Sequence, residues 1–205
     1  MPHPLKLRAL LAVAILASAC GRAKEARLPE GGAQLPKPIL KPEFVLTDQN
    51  GKSFDFRKDT EGYVTLLFFG YTHCPDVCPV HMSNIASALQ RMSPEDARRF
   101  KVVFVTTDPA RDDAARLKAW LGALDPAFIG LRGPIDSINS ITANLGFGAA
   151  FVEDTTKKDY TVGHLGIVFA FTRDNLAHTI YPFGVRQEDW AKDLPRMIDA
   201  YAPPS

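Results

Sequence analysis

The sequence predicts an α/β domain built on a mixed central sheet, with helices on both faces and a hairpin at its N-terminal end. Three observations carry that expectation. Residues 63–70 (YVTLLFFG) form an unbroken apolar run of strand length, as a central strand covered on both faces requires. From Glu43 onward short apolar runs alternate with amphipathic stretches, the pattern of parallel crossover units. Near the C terminus two further apolar runs lie close enough together to pair antiparallel, and a helical pattern follows them.

In chain order, Phe44-Val45-Leu46 and Phe54-Asp55-Phe56 flank Asn50-Gly51, a dipeptide suited to the positive φ of a tight turn, so a hairpin leads the domain. The strand at 63–70 comes next. Within 80–92, Ile85, Leu89 and Met92 recur at helical spacing. Residues 101–107 (KVVFVTT) read as a second buried strand and 112–124 as a second helix, with Ala115, Leu117, Trp120 and Leu121 apolar. Residues 128–131 and 135–145 repeat strand then helix. The runs 167–172 and 177–181 form the terminal antiparallel pair, and a helix over about 187–201 closes the domain. This plan resembles the thioredoxin-like folds, whose reactive site lies where the first core strand hands over to its helix. Cys74 and Cys78 fall at that place.

Composition narrows the chemistry. Lys and Arg number 24 against 23 Asp and Glu, which excludes a polybasic nucleic-acid surface. Three cysteines, Cys20, Cys74 and Cys78, are too few for a disulfide framework in a chain of 205 residues, so a core must hold the fold and the thiols are free for chemistry.

Lys6 and Arg8 precede an apolar run over 9–19 that ends in Ala17-Ser18-Ala19, the layout of an export signal. At 11 residues the run is short of the roughly 20 that span a bilayer. Leu16-Ala17-Ser18-Ala19-Cys20 resembles a bacterial lipoprotein signal, although Leu16 stands one place early. The resemblance implies cleavage before Cys20 and a diacylglycerol on its sulfur; an ordinary signal cut after Ala19 is the alternative. Residues 21–42 hold four prolines and a Gly31-Gly32 pair without apolar periodicity and read as a semi-extended tether. The expected organisation is an export signal at 1–19, a lipidated cysteine and tether at 20–42, and the folded domain at 43–205. The expected location is the bacterial cell envelope, outside the cytoplasm, on a membrane anchor.

The segment Gly70-Tyr71-Thr72-His73-Cys74-Pro75-Asp76-Val77-Cys78-Pro79 lies between the first core strand and its helix. Pro79 suits a first helical turn, where a missing N–H costs nothing. Sulfurs at a helix N terminus are favoured as thiolates, which serve both as metal ligands and as redox nucleophiles. The three intervening residues, one more than in the usual dithiol oxidoreductase pattern, widen the loop and suit two sulfurs gripping one ion. Burial as two small hydrophobes is the remaining reading.

This segment resembles the copper-site motif of the Sco/SenC family, copper-binding thioredoxin-like proteins that help assemble cytochrome c oxidase. Thr107-Asp108-Pro109-Ala110-Arg111-Asp112 is similar to that family's Asp-Pro-x-Arg-Asp stretch, and Val162-Gly163-His164-Leu165 to its ligand-histidine segment. Tyr181-Pro182-Phe183-Gly184 lies where the family also has a short turn. The resemblance covers about 43–201. It implies copper, as Cu(I) or Cu(II), held by Cys74, Cys78 and His164, with Asp108 and Arg111 beside the site or at a docking surface. The implied partners are cytochrome c oxidase subunit II and another copper carrier or a thiol reductant.

His164 has a second argument. No proline occurs between Pro134 and Pro182, so the cis-proline that faces the cysteines in thioredoxin-like redox proteins is absent, and His164 stands in about its place. His81, three residues after Cys78, is the rival ligand, but Cys74 leaves the shared helical face if Pro79 begins the helix. His73 points away if the chain is still extended there. Both are expected at the surface or just outside the ligand set. Asp108 is equally suited to forming the turn at Pro109, and Arg111 to orienting that loop by pairing. Two thiolates and one imidazole make a soft, low-coordinate site that suits Cu(I), whereas Cu(II) would recruit a further ligand or water. The favoured function is a copper chaperone. The alternative is a thiol–disulfide oxidoreductase with Cys74 attacking and Cys78 resolving. A peroxidase fits less well, since Tyr71 stands where peroxiredoxins want Thr or Ser.

Overall fold

The computed structural model describes residues 29–152 and 159–201, and it opens with a strand where composition suggested a tether. Strand β1 (Ala33–Leu40) lies along one edge of the main sheet, antiparallel to the last strand. Its pairing runs Ala33↔Ile180 and Gln34↔Thr179, breaks, and resumes at Ile39↔Ala177 and Leu40↔Leu176; Pro36 and Pro38 fall in the break. An edge strand tolerates prolines because half its N–H groups need no partner, and with one flank open it shows no clean apolar alternation. The expected tether over 20–42 is therefore corrected: residues 33–40 belong to the folded domain. The export signal and Cys20 lie outside the described residues.

The hairpin follows as β2 (Val45–Asp48) and β3 (Ser53–Asp55), paired Val45↔Asp55 and Leu46↔Phe54, with Gly51 at φ +78° in the turn. A one-turn helix, α1 (Phe56–Asp59), leads into β4 (Val64–Gly70), every residue of which is buried. Then come α2 (Val77–Gln90), the short α3 (Pro94–Ala97), β5 (Phe100–Thr106), α4 (Ala114–Gly122), β6 (Ile129–Arg132) and α5 (Ile135–Asn144). A two-residue ladder joins β7 (Phe151–Val152) to β8 (Val162–Gly163). Strands β9 (Ile167–Phe171) and β10 (Leu176–Pro182) pair antiparallel, and α6 (Gln187–Asp199) ends the described chain.

Among the described residues, the main sheet has eight strands in the order β1-β10-β9-β4-β5-β6-β2-β3. Strands β4, β5 and β6 run parallel, and β9 lies antiparallel to β4. Successive side chains of β4 serve opposite faces. Leu66 and Phe68 join Met82, Ile85, Leu117 and Trp190 in one core, beneath α2, α4 and α6. Leu67 and Phe69 join Phe56, Val103, Ile138 and Phe171 in the other, beneath α1 and α5. This is the mixed α/β, thioredoxin-like architecture expected from the alternation of apolar runs.

The N-terminal segment is fastened before β1 begins. The N–H groups of Glu30 and Gly31 donate to the buried carboxylate of Asp193 at 2.9 and 2.6 Å, and Tyr181 Oη donates to the same group at 2.9 Å. A Cβ on Gly32 would lie 2.5 Å from Thr179 Cγ2, so only glycine lets the chain pass this close to β10. Among the described residues no helix is long and apolar enough to cross a membrane.

Candidate metal centre

Parallel β4 and β5 end at the same edge of the sheet, and antiparallel β9 begins there, since Phe68 pairs with Val168. Three connections therefore converge: residues 71–76 after β4, 107–113 after β5, and 164–166 before β9. They carry Cys74, Asp108 with Arg111, and His164 respectively.

Helix α2 starts at Val77, two residues before Pro79, so the proline still lies in the first turn and Cys78 is the second helical residue. Cys74 sits outside the helix, its N–H donating to Tyr71 O at 3.2 Å. The N–H of Cys78 points at Cys74 Sγ, 3.5 Å away. Cys78 is wholly buried and Cys74 is 9% exposed. Gly70, the last residue of β4, makes this seat possible, because a Cβ there would lie 2.6 Å from Cys78 Sγ.

His164 Nε2 lies 3.2 Å from Cys78 Sγ, while its Nδ1 lies 3.0 Å from the Val162 carbonyl. A carbonyl only accepts, so Nδ1 donates to it and Nε2 is the ring nitrogen turned toward the sulfur. Tyr71 stands edge-on to the imidazole at 5.2 Å. Among the described residues, Cys74, Cys78 and His164 form a cluster whose donor atoms all lie within 4.8 Å of one another. Two sulfurs and one oriented nitrogen at that spacing fit a single soft ion.

The electrostatics separate the two thiols. The Cys74 thiol is brought down to about 5, chiefly by its hydrogen bond with the Cys78 side chain, helped by the N–H groups of Cys78 and Asp76 and opposed by burial. Burial, with Cys74 alongside, pushes the Cys78 thiol well above the usual range. The metal-free pair thus carries one proton, on Cys78, facing Cys74 Sγ and His164 Nε2. A bound ion takes the place of that proton. In reduced, metal-free protein, iodoacetamide is expected to label Cys74 before Cys78, with a rate that levels off above about pH 6 instead of climbing toward pH 9. Peptide mapping across a pH series checks this, and first labelling at Cys78 would contradict it.

Among the described residues, the other histidines stay outside the donor cluster. His81 is buried, not at the surface, with its ring 5.3 Å from that of Phe68 and 5.9 Å from that of Phe183. His73 is partly exposed, with Nδ1 3.4 Å from Asp112 Oδ1. Asp108 is buried: its carbonyl accepts from the N–H groups of Arg111 and Asp112, and its carboxylate accepts from Arg111 Nε and Tyr160 Oη.

Asp112 was assigned no role from the sequence, although it closes the Thr107–Asp112 stretch. Its buried carboxylate accepts from Thr72 N at 2.9 Å, Thr72 Oγ1 at 2.6 Å and Thr106 Oγ1 at 2.7 Å, pinning the turn before Cys74 to the end of β5. Arg116 Nε donates to Thr72 Oγ1 from the other side at 2.9 Å. The signal was a carboxylate among small hydroxyl residues, and a contact across 40 positions is invisible to spacing.

A family model described as SCO1/SenC matches residues 32–199. A protein of Stutzerimonas stutzeri named for copper binding is 33% identical over 166 residues, 80% of each chain. Mitochondrial SCO2 of Saccharomyces cerevisiae is 30% identical over 163 residues, 78% of this chain and 53% of that protein, so the chain spans about half the length of this relative. The solved structure of Bradyrhizobium japonicum ScoI with copper bound shares 33% identity at a TM-score of 0.64, covering 78% of this chain and 100% of that one. The family match runs from just before β1 to the end of α6, and the chain belongs to the SCO1/SenC family.

Proposed function

We propose that the protein is a copper carrier of the bacterial cell envelope, anchored through a lipidated Cys20, that passes copper to the binuclear site of cytochrome c oxidase subunit II. Cys74, Cys78 and His164 are the proposed ligands. The Sco family is described as one of cytochrome c oxidase assembly proteins. The observation that carries the reading is the orientation of His164, whose Nε2 meets Cys78 Sγ at 3.2 Å. Dithiol exchange has no need of an imidazole there, whereas a soft ion gains a third donor.

The cargo's exit follows from the burial of its ligands. A three-coordinate ion accepts an entering thiolate before a donor leaves, so transfer needs no free ion. Cys74, on the solvent side and the better leaving group, departs first, and buried Cys78 holds the ion last. Asp108 and Arg111 lie beside this path in the neighbouring turn.

The low Cys74 thiol and protonated Cys78 also suit an attacking and a resolving cysteine, so thiol–disulfide exchange on the oxidase's own cysteines is the second reading. Complementation separates the two. In cells lacking the protein, oxidase activity is expected to fall and to recover in part with added copper. A His164→Ala gene, with both thiols intact, is expected not to restore it. Full restoration by His164→Ala together with failure of Cys78→Ser would favour the oxidoreductase.

A further inference from the structure

His164 belongs to no long element: the two-residue β8 precedes it and β9 begins three residues later. On the approach to this histidine the chain is held by the β7–β8 ladder, by buried Val162 and by Tyr160. Its hydroxyl donates to Asp108 Oδ1 at 2.8 Å, while Arg111 Nε donates to the other oxygen of the same carboxylate. The Arg111 guanidinium lies over the Tyr160 ring, 3.5 Å from its centre. Asp108 is 3% exposed, and the backbone bonds from Arg111 and Asp112 to its carbonyl fix it at the end of β5. The clamp therefore rests on the rigid sheet edge, while the segment it grips carries the ligand. Arg111 also reaches the Tyr71 ring at 5.7 Å, and Tyr71 abuts His164. A contiguous file of side chains, Tyr160, Arg111, Tyr71 and His164, links clamp to imidazole.

Resting on the copper reading, we propose that Tyr160 is a positioning residue for the metal: gripped by Asp108 and Arg111, it holds His164 Nε2 against the sulfurs and so sets how strongly the site prefers Cu(II). Cu(I) is satisfied by two thiolates, so its binding is insensitive to where the imidazole stands. Cu(II) needs the nitrogen donor, and its affinity carries almost all the cost of a misplaced His164. Release of the clamp leaves a two-sulfur site with an open face, the form in which an entering thiolate meets least obstruction.

The test uses the full chain with thiols reduced and compares wild type with Tyr160→Phe, Tyr160→Ala, His164→Ala and the double variant Tyr160→Ala/His164→Ala. A hydrogen bond to a charged group is worth roughly tenfold to a hundredfold in an equilibrium. Tyr160→Ala is expected to weaken Cu(II) binding about tenfold or more, to diminish the thiolate-to-Cu(II) absorption band and the imidazole coupling in electron paramagnetic resonance, and to change Cu(I) affinity less than about threefold. Tyr160→Phe, which keeps the ring on Arg111 and loses the donor, falls between. In the double variant Cu(II) affinity matches that of His164→Ala, because Tyr160 acts through His164. Equal loss of Cu(I) and Cu(II) binding, or a Tyr160 effect that persists without His164, would mean a merely structural role and overturn the proposal. Unchanged Cu(II) spectra in both Tyr160 variants would do so as well. Amide exchange over residues 159–166 in metal-free protein, expected to quicken in both variants, gives a copper-independent readout. If wild type binds no copper the copper reading itself fails; if wild type binds and the Tyr160 variants match it, only the positioning role falls.

Discussion

Cys74→Ser and Cys78→Ser are each expected to lower Cu(I) affinity by roughly a hundredfold to a thousandfold, whereas His164→Ala lowers it by less than about tenfold and instead leaves Cu(II) weakly held. The magnitude comes from the worth of one soft ligand. Four-ligand zinc sites reach about 10–16 kcal/mol, or roughly 2.5–4 kcal/mol per ligand, and 1.4 kcal/mol is a factor of ten. Serine keeps the shape and loses the soft donor, and the site is left with one sulfur and one imidazole. Loss of His164 leaves both sulfurs, an arrangement Cu(I) accepts. Competition with a chromophoric Cu(I) chelator measures the first effect, and the thiolate-to-Cu(II) band measures the second. Copper affinity and spectra unchanged in His164→Ala would remove it from the ligand set. If His81→Ala lost the band instead, the third donor would be the buried imidazole beside Phe68 and Phe183.

The parts of this centre differ in how they could be read from the chain. The all-apolar β4, the two cysteines at its exit and the helix after them are local features, and local patterns reach them. His164 is 86 positions from Cys78, and its approach depends on β9 pairing antiparallel with β4 in the register Phe68↔Val168. No periodicity encodes that register, so likeness to known motifs and the lack of a proline between Pro134 and Pro182 singled the residue out. Gly70 and Asp112 went unread for related reasons. A glycine's worth lies in the sulfur that would strike its missing Cβ, and a buried carboxylate's in hydroxyls brought from another loop. The tether misled for the opposite reason. Prolines and paired glycines usually mark an unpaired chain, yet on a sheet edge Pro36 and Pro38 sit in the break of a ladder and Gly32 permits close passage over β10.

Lys41 is the largest consequence of that misreading, and it predicts a stability that rises with pH. Placed by composition at the end of a solvated tether, it is instead 1% exposed, with Nζ donating to Thr60 O and Thr65 Oγ1, both at 3.0 Å, and lying over the Phe56 ring. Burial is the main cause that brings its ammonium down from 10.5 to about 7; nearby Arg57 adds to it and Glu61 opposes it. Between those two values the unfolded chain holds a proton that the folded chain has released, so stability increases as pH rises through this window. Below about pH 7 both states are protonated and the folded state bears the full penalty of a buried charge, on the order of 5 kcal/mol. Lys41→Met keeps the length of the stem and removes the titrating group. Urea unfolding at pH 7, 8, 9 and 10 is expected to show wild type gaining stability relative to the variant at each step. Parallel curves for the two proteins would show that Lys41 stays charged in its site, with the hydroxyl of Thr65 and the carbonyl of Thr60 solvating it in place of water.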